Sequence, residues 1–280
     1  MDVRELVRRT LDEDGIDRDL TTLATVPEDA AARGILLAKE DLVVSGLDVC
    51  GLVFDAVDPR SRLVPSLAEG APARKGDVLG RVEGPARGLL QAERVALNFL
   101  QRLSGVATLT RRFVEAVAGT GARIRDTRKT TPLLRALQKR AVVAGGGVSH
   151  RAGLDDAILV KDNHVRLAGS VGEATRRAVA AAPGRPVEVE VEHAEQIEEA
   201  LQAGATLLLL DNFTPEDVRV AVRMVASRVP VEVSGGVTLA TVRAYAEAGA
   251  DLIAVGALTH SAPGADISLE IEPVIASPHP

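Results

Sequence analysis

Between residues 123 and 255 the sequence repeats one local pattern. Short strand-like runs of three to five residues occur at 123–126, 157–161, 187–191, 206–210, 231–233 and 252–255. Ala-rich segments with helical periodicity separate most of them, at 172–182, 194–202, 215–227 and 239–248. Strands this short, joined by helical crossovers, predict a parallel α/β sheet or barrel. The interval 130–153 is longer and irregular.

Two further zones precede the alternation. Residues 1–86 open with an amphipathic helix (Val3, Leu6, Val7 and Leu11 on one face) and continue in strand-like runs at 34–39 and 41–45, broken by Gly70, Gly76, Gly80 and Gly84. This zone reads as a small α+β domain. Residues 89–118 carry apolar positions at helical spacing, with a break expected at Gly105.

Composition narrows the function. At 46% hydrophobic residues the chain can build a real core. Aromatics are 2% of the residues, and the net charge is −6, which argues against stacking on single-stranded nucleic acid and against a polybasic membrane role. A single cysteine, Cys50, excludes an internal disulfide or a multi-cysteine zinc site and reads as a small buried residue. The first residues carry no apolar signal core, and no run is long enough to span a bilayer, so a cytoplasmic protein is expected. The charge is unevenly spread. Residues 123–166 hold ten Lys or Arg against four Asp, a local +6 that leaves −12 elsewhere.

In a barrel, chemistry collects at the carboxyl ends of the strands. Those ends are sorted here. The early ones carry cations (Arg128, Lys129, Lys161), the middle ones carboxylates (Glu190, Asp211), and the late ones glycines (Gly235, Gly236, Gly256). Cations would neutralise carboxylates or phosphates. Glu190 and Asp211 could hold Mg²⁺, directly or through water, or bind sugar hydroxyls. Glycines let backbone N–H groups approach a phosphate. A phosphorylated sugar, a metal and an acidic co-substrate would use all three.

The motifs carrying these residues occur in a recognisable order. They are Ala92-Glu-Arg-Val-Ala-Leu-Asn98, Ser104-Gly-Val-Ala-Thr108, Arg125-Asp-Thr-Arg-Lys-Thr-Thr-Pro132, Gly145-Gly-Gly-Val-Ser-His-Arg151, Leu159-Val-Lys-Asp-Asn-His164, Glu188-Val-Glu190, Leu210-Asp-Asn212, Val233-Ser-Gly-Gly236 and Gly256-Ala-Leu-Thr-His260. Together they strongly resemble the quinolinate phosphoribosyltransferase family over nearly the whole chain. Arg18-Asp-Leu-Thr-Thr22 departs from the family's Gly-Asp-x-Thr by an Arg for the Gly.

The resemblance implies an N-terminal α/β sandwich domain (1–107), an incomplete (β/α) barrel (108–265) and a final segment (266–280) returning to the first domain. It implies phosphoribosyl transfer from phosphoribosyl pyrophosphate to quinolinate with loss of CO₂, Mg²⁺ as cofactor, and a homodimer or higher multiple sharing its active sites. By the same resemblance Arg94, Arg128, His150, Arg151 and Lys161 hold the quinolinate carboxylates, with Arg94 reaching in from the neighbouring subunit. Lys129 contacts phosphoribosyl pyrophosphate, Glu190 and Asp211 bind ribose hydroxyls and Mg²⁺, and Ser234, Gly235, Gly236, Gly256 and His260 cradle the 5′-phosphate. His164 and His193 are left as structural. Three rivals remain open on the residues alone: a Schiff-base aldolase at Lys161, a non-catalytic phosphosugar-binding protein, and a family relative taking another acid.

Overall fold

The computed structural model describes residues 2–274; the last six positions of the expected closing segment lie outside the described residues. The helices are α1 (Val3–Asp14), α2 (Leu20–Thr25), α3 (Leu47–Val57), α4 (Ala86–Ala116), α5 (Arg135–Ala144), α6 (Asp162–Ala168), α7 (Val171–Ala181), α8 (Glu195–Gln202), α9 (Pro215–Val225), α10 (Val242–Glu247) and α11 (Ala257–His260). The strands are β1 (Ala31–Ala38), β2 (Leu42–Val43), β3 (Arg62–Pro65), β4 (Pro72–Ala73), β5 (Val78–Pro85), β6 (Arg123–Arg125), β7 (Ile158–Val160), β8 (Val187–Val191), β9 (Leu207–Asp211), β10 (Val231–Ser234), β11 (Leu252–Ala254) and β12 (Ile267–Pro273). No described helix is long and apolar enough to cross a membrane.

The described chain separates into two compact units. The first comprises 2–109, 131–145 and 262–274. Its main sheet is antiparallel, in the order β12-β1-β5-β3, and a two-stranded β2–β4 ribbon accompanies it. Ala32 to Ala38 of β1 pair in turn with Pro273 to Ile267 of β12, so the end of the described chain closes this sheet. Amphipathic α1 buries Leu6, Val7 and Leu11. Helix α3, not marked by the sequence pattern, buries Val49, Cys50, Val53 and Phe54. Burial raises the Cys50 thiol to about 12, so it stays protonated.

Two expectations need correcting. First, α4 does not break at Gly105; it runs 31 residues through it. A Cβ on Gly105 would lie 1.9 Å from the Pro263 carbonyl oxygen, and the Ala265 amide donates to the Gln101 carbonyl at 2.9 Å. The glycine admits a crossing backbone, and that close contact outweighs its modest helix cost. Second, residues 131–145, expected within the barrel, pack with the first unit. Helix α5 buries Leu137, Ala141 and Val142, Arg140 pairs with Asp48 at 2.6 Å, and Gly70 sits so close to Ala144 that a Cβ there would be 2.9 Å from its carbonyl oxygen.

The second unit comprises Thr110–Thr130 and Gly146–Ser261. It holds six parallel strands in the order β6-β11-β10-β9-β8-β7. Following the ring, the strands come in sequence order with β6 and β7 at the two edges, so this is an incomplete barrel. Val148 extends the β6 edge through a parallel bridge to Arg125. Helix starts are capped locally: Ser170 accepts from the Glu173 amide and Thr214 from the Asp217 amide, each at 3.2 Å. Val187, Val189, Val191, Leu208, Leu210 and Val233 are fully buried, at or near zero exposure. The alternate residues of the same strands point into the barrel, and these carry the site.

Candidate active site

A cavity of about 410 Å³ opens within the second unit. Its walls include Arg128, Lys129, His150, Arg151, Lys161, Glu190, Asp211, Glu232 and Ser234, with Leu159, Leu209 and Ala254 as apolar lining. The strand register explains the convergence. Glu190 lies opposite Leu209 and Ser234 opposite Asp211, so residues two apart on neighbouring strands share the inner face.

One wall is cationic. Arg128 and Arg151 each bury a guanidinium Nε without a hydrogen-bond partner. Burial, then the charge of Arg128, pushes the Arg151 pKa down. Arg151 is steadied by one bond, Nη1 to the Ala157 carbonyl at 3.1 Å. Two crowded guanidiniums with unmet donors form a receptor for an anion. Asp126, fully buried, holds the adjoining segment: its carboxylate accepts from the His150 amide at 2.8 Å and from the Ser149 hydroxyl at 3.3 Å.

The opposite wall is acidic. The Glu190 side chain, 7% exposed, accepts from Lys161 Nζ at 2.5 Å and from the Asp162 amide at 3.4 Å. Burial, then the negative charge of Glu190, pushes the Asp211 pKa up, while Lys161 and Lys129 pull it down. Two carboxylates in one partly buried cavity are the hard oxygen donors that a divalent cation carrying phosphates uses. The donor chemistry therefore fits Mg²⁺.

Late glycines shape the remaining side. Gly235 has φ +100°, and a Cβ there would meet Asn212 Oδ1 at 2.2 Å. A Cβ on Gly256 would press on the Lys129 side chain at 3.1 Å and on His260 Nε2 at 3.2 Å. Gly236, at φ +58°, faces open space. His260 is exposed and its Nδ1 lies 2.5 Å from Ser261 Oγ.

Similarity to known proteins extends over the whole chain. The family model for the quinolinate phosphoribosyl transferase N-terminal domain matches residues 19–104, and that for the C-terminal domain matches 106–270. The chain belongs to the quinolinate phosphoribosyltransferase family. It is 47% identical to the nicotinate-nucleotide pyrophosphorylase [carboxylating] of Mycobacterium leprae, over 96% of both chains. It is 39% identical to the probable enzyme of that name from Bacillus subtilis, over 97% of this chain and 94% of the other. The nicotinate-nucleotide pyrophosphorylase structure from Francisella tularensis superposes with a TM-score of 0.92 at 35% identity, covering 96% of each chain.

In this member of the quinolinate phosphoribosyltransferase family, the cavity brings together Arg128, Lys129, His150, Arg151, Lys161, Glu190, Asp211 and Ser234. Gly235, Gly236, Gly256 and His260 stand at the same strand ends without lining it. Arg94 belongs to the first unit, exposed on α4, with no side-chain partner among the described residues. His164 acts locally, its Nδ1 accepting the Lys161 amide at 2.8 Å. His150 is engaged at both ring nitrogens. Nδ1 accepts the Arg151 amide at 2.7 Å, which leaves the proton on Nε2 to donate to Glu188 Oε2 at 2.9 Å.

Motif matching gives no role to Arg125, Glu188 or Glu232. They form a buried cluster that reaches the cavity through Glu232: Arg125 Nη1 bonds Glu232 Oε2 and lies 4.0 Å from Glu188 Oε2. His150, Glu188 and Glu232 gather as tightly as the ligands of a metal, but the Arg125 guanidinium already supplies the positive charge. The signal that finds them is alternation. Val-Glu-Val-Glu-Val at 187–191 and Val-Glu-Val-Ser at 231–234 place acids on every second position of strands buried on both faces.

Proposed function

We propose that this protein transfers the phosphoribosyl group of phosphoribosyl pyrophosphate to the ring nitrogen of quinolinate, releasing pyrophosphate and CO₂ and forming nicotinate mononucleotide, a step of de novo NAD biosynthesis. The observation that carries this reading is the polarity of one cavity. Arg128 and Arg151 offer buried, unmet guanidinium donors on one wall, and Glu190 and Asp211 crowd the other.

Arg128, Arg151 and Lys161, with Arg94 from a neighbouring subunit, hold the two adjacent carboxylates of quinolinate; His150, expected among them, lines the same cavity with its ring tied to Glu188 and the Arg151 amide. Lys129, Glu190 and Asp211 hold the phosphoribosyl donor, and Ser234, Gly235, Gly236, Gly256 and His260 cradle its 5′-phosphate. Glu190 and Asp211 would hold Mg²⁺, which, when bound, supplies charge neutralisation for the departing pyrophosphate. As that bond loosens, positive charge grows on the ribosyl carbon, and the fixed carboxylates of Glu190 and Asp211 stabilise it without reorganising. Fixing the ring by its carboxylates aims the nitrogen at that carbon, which supplies much of the rate. The new pyridinium nitrogen then acts as the electron sink for loss of the C2 carboxylate. No protein nucleophile is required, which sets aside a Schiff base at Lys161, whose ammonium is tied to Glu190.

The working form is a cytoplasmic homodimer, or a multiple of one, with sites shared between subunits. Arg94, exposed and without a side-chain partner among the described residues, supports this. Arg94→Ala and Lys129→Ala subunits, each inactive alone, should regain activity in verified mixed dimers; none regained refutes the sharing.

The functional test is turnover of quinolinate beside nicotinate, with phosphoribosyl pyrophosphate and Mg²⁺. Quinolinate should yield nicotinate mononucleotide and nicotinate should not. Arg151→Ala should raise KM for quinolinate about 30-fold or more, the loss of a charge-assisted pair, and leave KM for phosphoribosyl pyrophosphate nearly unchanged. Equal use of nicotinate, or an unchanged quinolinate KM, contradicts the assignment.

A further inference from the structure

Loss of CO₂ from the pyridinium leaves an electron pair on C2 that must take up a proton, and a group in the cavity has to supply it. Among the described lining residues the choices narrow quickly. The guanidiniums of Arg128 and Arg151 do not give up protons at neutral pH. Lys161 is committed to Glu190 at 2.5 Å. His150 spends Nδ1 on the Arg151 amide and its Nε2 proton on Glu188. Asp211, Glu190 and Lys129, which also line the cavity, are assigned to the phosphoribosyl donor and its metal.

Glu232 differs from all of these. It lines the cavity, yet its side chain is fully shielded from solvent. Its Oε2 accepts from Arg125, while its Oε1 is buried and has no hydrogen-bond partner among the described residues. An unmet carboxylate oxygen in such a place is costly, and a proton on it removes the cost. The groups facing it are Arg125 from β6, Glu188 from β8 and His150 from the segment before β7; its neighbours across β9 and β11 are Leu209 and Leu252. Two carboxylates share the Arg125 guanidinium there, and a proton on Glu232 relieves their mutual repulsion. Burial, then the Glu188 charge, accordingly raises Glu232 to about 7, the range suited to a proton donor at neutral pH.

We propose that Glu232 is the acid that protonates C2 of the pyridine ring after decarboxylation. This rests on the function proposed above. The C2–carboxylate bond breaks, CO₂ leaves, and the electron pair left on C2 takes the proton from Glu232 Oε1. The resulting carboxylate is held by Arg125 and regains a proton from solvent after product leaves, so each turnover consumes one proton from water.

The test compares wild type, Glu232→Gln and Glu232→Asp with quinolinate and phosphoribosyl pyrophosphate in an equal mixture of H₂O and D₂O. Circular dichroism and a thermal melt verify folding. The readouts are kcat, both KM values and the deuterium fraction at C2 of the product, which reports the donor whichever step limits the rate. Glu232→Gln should lower kcat about 100-fold or more with both KM values nearly unchanged, and should shift the deuterium fraction because water replaces the carboxyl. Glu232→Asp should keep the wild-type fraction at a reduced kcat. A near-normal kcat in Glu232→Gln, or one deuterium fraction in all three proteins, overturns the proposal. If Glu232→Gln does not fold, two results still decide: Glu232→Asp must share the wild-type fraction, and wild-type kcat must fall as pH rises through about 7. A different fraction or a flat profile overturns the assignment. Wild type that makes no nicotinate mononucleotide refutes the functional reading itself, whereas wild-type turnover beside an unaffected Glu232→Gln refutes only the proton assignment.

Discussion

Strands β1 and β8 both alternate, but the alternation ends in different places. Along β1, in the antiparallel sheet of the first unit, every second residue is buried and the others are exposed or intermediate. Along β8, in the parallel sheet of the second, all five residues are buried although every second one is a glutamate. The outward positions of β1 lie at the surface, with Arg33 in water, whereas the glutamates of β8 are buried inside the barrel. The ion pairs follow suit. Arg33–Glu83 joins β1 to β5 with both side chains more than half exposed, whereas Arg125–Glu232 joins β6 to β10 with exposures of 17% and 0%. The first pair keeps a surface solvated; the second is desolvated at a cost that makes sense only at a site.

The largest effect that could break this contrast is removal of Arg125. Arg125→Ala leaves Glu188 and Glu232 without their guanidinium, and should cost about 3–5 kcal/mol by urea denaturation at neutral pH; a loss below about 1 kcal/mol would mean that the cluster is effectively solvated.

The next concerns pH. Glu232 is raised from 4.5 to about 7 in the folded protein. An acid raised on folding contributes stability that is fully present below its unfolded value and is lost as pH rises through its folded one. The loss should therefore fall between pH 4.5 and about 7, on the order of 3 kcal/mol. Glu232→Gln should flatten that part of the stability curve, and an unaltered slope would contradict the burial argument.

Gly105→Ala sharpens the contrast from the other side, because the first unit depends there on backbone approach and not on charge. With 1.9 Å to the Pro263 oxygen, the added methyl should cost about 1–3 kcal/mol; a thermal melt unchanged from wild type would refute the close packing. The smallest effect is Arg33→Ala, expected to cost less than about 1 kcal/mol and to diminish further in salt. A larger loss would show that the surface pair is not merely a solvated one.

Much of this was legible in the sequence because short strand-like runs between helical segments mark a parallel sheet. All six barrel strands lie where the runs placed them, to within a residue or two at each end. The residues at their carboxyl ends converge because β-strand geometry sends Lys161, Glu190, Asp211 and Ser234 to one face. Gly105 misled because propensity is local, while the contact that selects glycine comes from residue 263. Helix α3 was missed because only Asp48 and Asp55 mark its outer face, too thin a polar stripe against its many apolar residues. Glu188 and Glu232 look like the polar half of ordinary amphipathic strands; only burial on both faces distinguishes them.

The central claim, that one polarised cavity couples phosphoribosyl transfer to loss of the C2 carboxylate, is tested most directly by stoichiometry. Purified protein is given quinolinate labelled in the C2 carboxylate, phosphoribosyl pyrophosphate and Mg²⁺, and labelled CO₂ and pyrophosphate are followed together. The account predicts equal amounts of the two, appearing with nicotinate mononucleotide. Pyrophosphate released without labelled CO₂, or neither product from folded protein, would contradict it.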